Sequence, residues 1–123
     1  MNHQSVELYI TESWFNKTLN GQRHDPHVHP NSVVSGILYI DGENFHTTFE
    51  APPACDFYFD SQPNMWNSNQ CEFVFQKGDC VVFRSNIEHF VPPYMGDKPR
   101  ITLSWNTFVK GNISSKPTTS LIL

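Results

Sequence analysis

Residues 27–40, HVHPNSVVSGILYI, decide how the rest of this chain is read. A strand turns successive side chains to opposite faces, so His27 and His29 share a face that Val28 does not. Two imidazoles on one face can grip one metal ion, and a third ligand brought in by the fold would complete the set. The well-placed third ligand is His89, in the stretch GDCVVFRSNIEHFVPP at residues 78–93. Pro26 and Pro30 bracket the His-Val-His triplet, which suits a short strand at a sheet edge or barrel rim. His24 lies three residues before His27, so alternation sends it to the opposite face. Asp25 shares the face of His27 and His29, as a ligand or as the partner that fixes an imidazole tautomer. His3 and His46 read as surface residues.

Working outward, residues 33–40 form a β-branched run that ends at Asp41-Gly42, and residues 44–50 follow as the second arm of a hairpin. Residues 6–10 alternate apolar and polar as an opening strand, and residues 11–19 continue into a second one before the Asn20-Gly21 turn. A second hairpin joins residues 71–75 to 80–83 across Lys77-Gly78-Asp79. Residues 100–108, RITLSWNTF, make the last long strand. Residues 51–70 differ in character, being rich in Pro, Asn, Ser and aromatics, with one short strand at 56–60. Such an excursion suits a lid carrying Phe57, Tyr58, Phe59 and Trp66, or a plug that closes one end of a barrel. No internal repeat and no amphipathic helix emerges. The expectation is a single all-β domain over residues 1–110 and a flexible Ser/Thr-rich tail over 111–123.

Composition bounds the function. At 123 residues the chain is long enough for one domain with a real core. Its net charge of −4, without basic clusters, argues against nucleic acid or an anionic membrane as partner. Ten Phe, four Tyr and three Trp, with frequent Gly and Pro, favour short strands joined by turns. Cys55, Cys71 and Cys80 are an odd number without metal-ligand spacing, which points to reduced thiols and a cytoplasmic location. The N-terminus lacks the basic and apolar regions of a signal peptide, and no run approaches the ~18 apolar residues of a membrane span.

Three neutral imidazoles suit zinc, iron, manganese, nickel or copper, so the metal must be argued from its surroundings. Arg100 and Thr102 alternate onto one face of the last strand, eleven and thirteen residues after His89. An arginine fork beside a hydroxyl is a directional receptor for a carboxylate. Tyr39 could offer its hydroxyl to the same anion. The competing reading of Arg100 is an exposed strand-end charge that answers Asp97.

The ordered set of His27-x-His29, Ser35-Gly36, Tyr39, Gly78-Asp79, His89 and Arg100-Ile-Thr-x-Ser-x-Asn106 resembles the small 2-oxoglutarate- and Fe(II)-dependent oxygenases of bacteria and phages. The likeness covers roughly residues 12–108. It implies a double-stranded β-helix, the jelly-roll barrel shared with cupins. Gly21, His27 and His29 also fit the opening of the first cupin motif, although the glutamate that should follow is missing. Residues 78–89 keep the second motif's spacing, with Arg84 and Asn86 where Pro and Gly are usual.

Carried over residue by residue, the resemblance implies that His27, His29 and His89 bind catalytic Fe(II). His29 then stands where the wider superfamily has a carboxylate. Arg100, with Thr102 and Tyr39, would hold the distal carboxylate of 2-oxoglutarate, and O2 would be the oxidant. The implied substrate is a small molecule or a peptide side chain. Two other readings stay open: a cupin-type metalloenzyme that does not use 2-oxoglutarate, and a non-catalytic binding or assembly module. The chain is short of the flanking helices that support larger oxygenases, so a homodimer through a sheet edge is expected.

Overall fold

Two four-stranded antiparallel sheets face each other in the computed structural model, which describes residues 6–50, 68–111 and 113. The described strands are β1 (Glu7–Thr18), β2 (His24–His27), β3 (Val34–Asp41), β4 (Phe45–Glu50), β5 (Gln70–Phe75), β6 (Cys80–Arg84), β7 (Glu88–Val91) and β8 (Arg100–Lys110). One sheet runs β1-β8-β3-β6 and the other β2-β7-β4-β5. Apart from the β4–β5 step, each strand is followed in sequence by one in the opposite sheet. This is the double-stranded β-helix. No described residue is helical, so no helix is long and apolar enough to cross a membrane.

The topology corrects both expected hairpins. A strand has two edges, and those of β3 are occupied by β6 and β8, so β4 pairs instead with β5 and β7. Gly42 and Asn44, with φ of 124° and 50°, turn the chain from one sheet to the other rather than back along β3. β5 and β6 are likewise split between the sheets. The turn between them closes onto β3, where Gly78 donates to the Tyr39 carbonyl at 2.7 Å and Tyr39 N–H donates to that of Asp79 at 3.0 Å. The two opening strands are one, β1, bent by a bulge between Ile10 and Glu12. The short strand expected at 56–60, the lid or plug residues 57–59 and 66, and nearly all of the tail lie outside the described residues.

Two kinds of side chain fill the space between the sheets. Ile37, Tyr39, Phe45, Phe49 and Phe83 form the apolar core, flanked by Phe75, Val81 and Ile87. The inward row of β8 is polar: Arg100, Thr102, Ser104 and Asn106 are buried, while the intervening Ile101, Leu103 and Trp105 are only half-buried. A strand that hides its polar face is building a site, because buried polar groups cost free energy unless something satisfies them.

Candidate metal centre

β2 and β7 position two of the three histidines. His27 pairs with His89 and His24 with Val91, three residues against two, so β2 carries one extra residue around Pro26. Proline has no N–H to give a ladder and is tolerated at such a bulge. The extra residue restores His24 to the face of His27, against the alternation expected from sequence. Asp25 is left exposed, where its carboxylate pairs with Arg23 at 2.9 Å. Its contribution to the site is the backbone carbonyl, which accepts from His27 Nδ1 at 2.8 Å.

β2 ends at His27, so His29 does not reach the site by strand alternation. A bond from its N–H to the Ser85 carbonyl at 2.9 Å places it. Asn31, in a left-handed conformation with φ of 56°, then turns the chain toward β3. The three rings converge nonetheless, with centroids 4.4 Å (His27–His89), 5.0 Å (His29–His89) and 5.3 Å (His27–His29) apart. One ring nitrogen from each lies within 4.8 Å of the others.

Every Nδ1 faces an oxygen acceptor: the Asp25 carbonyl for His27, Asn106 Oδ1 at 2.6 Å for His29, and the Ile87 carbonyl at 3.1 Å for His89. Carbonyl oxygens only accept, so each Nδ1 carries a proton, and in the neutral ring that leaves the lone pair on Nε2 for a metal. Burial against Phe49 and Phe83 pushes the His89 imidazole down to about 4, assisted by His27 and His29. Burial also lowers His29, against the raising effect of Asn106 and Glu12. The His29 and His89 imidazoles are therefore neutral near pH 7, as a metal ligand must be.

At the other end of the inward row of β8, Arg100 is 3% exposed, and its Nε and Nη1 have no partner among the described residues. Asp97 does not answer it. Its guanidinium carbon lies 5.7 Å from the centroid of Tyr39, which stands opposite Thr102 in the β3–β8 ladder. The Tyr39 hydroxyl is 2.8 Å from Thr47 Oγ1. An arginine stays charged when buried, so unpaired donors on a buried guanidinium call for an anion. Beside it, Thr18 Oγ1 meets His24 Nε2 at 3.1 Å. Burial, then the Arg100 charge, lowers the His24 pKa. An open groove of about 560 Å³ reaches Thr18, Gln22, Arg23 and His24 from solvent.

Residues 12–106 match the family model described as "Putative 2OG-Fe(II) oxygenase". The chain belongs to that family. Membership in this oxygenase family implies Fe(II), 2-oxoglutarate and O2. The fold is similar to that of a solved 2OG-Fe(II) oxygenase-family oxidoreductase from Burkholderia pseudomallei, with a TM-score of 0.62 and 14% identity over 82% of this chain. The chain spans 43% of that larger protein. No curated protein matches the sequence.

The donors present fit the implied groups: three converging imidazoles for iron, and a buried guanidinium whose Nε and Nη1 are unmet among the described residues for a carboxylate. Sequence reasoning passed over Glu12, Ser85 and the inward placement of His24. The first two are invisible to spacing, because bulges and loop crossings bring them to the site.

Proposed function

We propose that this protein is an Fe(II)- and 2-oxoglutarate-dependent dioxygenase that hydroxylates a small molecule or a peptide side chain. In this reading His27, His29 and His89 hold the iron, and Arg100, with Thr102 and Tyr39, receives the distal carboxylate of 2-oxoglutarate. The observation that carries it is the buried Arg100, whose Nε and Nη1 have no partner among the described residues, on the row of β8 that also bears Asn106. A cupin that does not use 2-oxoglutarate has no need of such a receptor. When bound, iron supplies the oxidative chemistry, in which O2 is consumed and 2-oxoglutarate is decarboxylated to succinate as a substrate C–H bond is hydroxylated. The chain's own residues orient and exclude. The Nδ1 bonds hold the imidazole planes, Arg100 fixes the co-substrate's direction, and Phe49 and Phe83 keep water from the buried side of His89.

Anaerobic addition of 2-oxoglutarate to the Fe(II)-loaded protein tests the reading. A visible metal-to-ligand charge-transfer band is expected, absent in His27→Ala and Arg100→Ala. Bound iron without a band would favour the cupin-type alternative, to which the carboxylate-free donor set also points.

A further inference from the structure

We propose that Glu12 supplies, through Asn106, the negative charge that an all-histidine ligand set lacks, so that Glu12 and Asn106 are positioning residues for the metal. The inference rests on the metal-site reading above. Two histidines and a carboxylate leave a divalent ion with one net positive charge, whereas three neutral imidazoles leave it with two. The structure places a carboxylate at the end of a hydrogen-bonded chain leading to one of those imidazoles.

Asn106 Nδ2 donates to Glu12 Oε1 at 2.7 Å. A carboxylate only accepts, so this bond fixes which way the amide faces. Its Oδ1 must then meet His29 Nδ1 at 2.6 Å and Ser35 Oγ at 2.7 Å, and both donate to it. The His29 proton is thereby held on Nδ1 and its lone pair on Nε2. A bond to an ionised acceptor polarises the groups behind it, which makes the imidazole a more electron-rich donor. Carboxylate–histidine–metal arrangements work this way directly, and here one amide stands between the partners.

The β1 bulge makes the chain possible. Ile10 pairs with Thr107, and an unbroken register would set Thr11 opposite Asn106 and turn Glu12 to the outer face. The skipped residue puts Glu12 opposite Asn106 instead. Thr11 is kept at the bulge by a bond from its hydroxyl to the Asn106 carbonyl at 3.3 Å. A bulge that aims a side chain at a site is a feature of that site.

Glu12→Gln keeps an oxygen that can accept from Asn106 but removes the charge, and Glu12→Asp keeps the charge. The test is anaerobic calorimetric titration of Fe(II) into each protein, with the Fe(III)/Fe(II) potential of the loaded forms and the melting temperature of the metal-free forms. Wild type should bind Fe(II). Glu12→Gln should bind about 3- to 10-fold more weakly, less than the usual effect of losing a direct partner because the carboxylate is exposed. Its potential should move in the positive direction and its metal-free melting temperature should stay unchanged. Glu12→Asp should restore most of both properties. Wild-type affinity and potential in Glu12→Gln would overturn the relay while leaving the metal site standing. Failure of wild type to bind Fe(II) would overturn the metal-site reading and the relay with it.

Discussion

His27 and His89 stand directly opposite each other in the β2–β7 ladder, their rings 4.4 Å apart. Two of the three imidazoles are thus set by backbone pairing between neighbouring strands, and the third arrives from a loop. Backbone pairing of two ligands favours a set already arranged before any ion enters.

His27 is exposed and contributes little packing, so His27→Ala should fold normally and lose metal. We expect Fe(II) affinity to fall by more than the roughly 10- to 100-fold typical of an outer-shell loss. The metal-free melting temperature should move little. Metal content after dialysis, read beside the melt, checks both. Retention of stoichiometric iron would remove His27 from the ligand set.

Acid should destabilise the metal-free protein through its buried imidazoles. The His89 pKa falls from 6.5 to about 4 on folding, so between those values the unfolded chain takes up a proton that the folded chain refuses. Stability is therefore full above pH 6.5 and declines as pH drops toward 4. His29 and His24, also lowered by burial, add to the same slope. Thermal melts with chelator across this window should show the decline, and His89→Gln should flatten it. Equal slopes in the two proteins would contradict the assignment.

Arg100 should cost stability when no anion is bound. Replacing it with Met keeps much of the volume and removes a buried charge whose Nε and Nη1 have no partner among the described residues. Replacing even a paired buried charge by apolar residues of similar volume is often neutral or stabilises by about 1–4 kcal/mol. Arg100→Met should accordingly melt higher than wild type, keep its Fe(II), and lose the response to 2-oxoglutarate. A lower melting temperature would mean that Arg100 has a partner in the folded protein.

Gly36 pairs with Trp105 across β3 and β8, and a Cβ at Gly36 would collide with the indole ring. Gly36→Ala should displace the ring and destabilise by about 1–3 kcal/mol. The denaturation midpoint reads this directly, and an unchanged midpoint would show that Trp105 moves aside freely. The change lies on the outer face of the sheet, so metal affinity should be preserved.

Much of the site was legible because its residues follow strand rules. Arg100, Thr102 and Asn106 share a buried face as plain alternation requires, and Tyr39 meets Thr102 in register. Where alternation failed, a bulge had intervened: His24 and Asp25 exchanged faces at Pro26, and Glu12 turned inward after Ile10. A bulge inserts one residue without a strong sequence mark, and one residue reverses every face beyond it. The hairpins were misread for a related reason. Asp41-Gly42 and Gly78-Asp79 do turn the chain, but whether two strands then pair depends on edges already taken by distant partners. Local turn chemistry does not carry that information.

Glu50 pairs with Gln70, so the chain leaves and rejoins the β4–β5 ladder at neighbouring points. Everything between them is bounded by a closed hydrogen-bonded register, and each doubling of its length would cost only about 0.6 kcal/mol in closure entropy. The β4–β5 register therefore constrains the length of the chain it encloses only weakly.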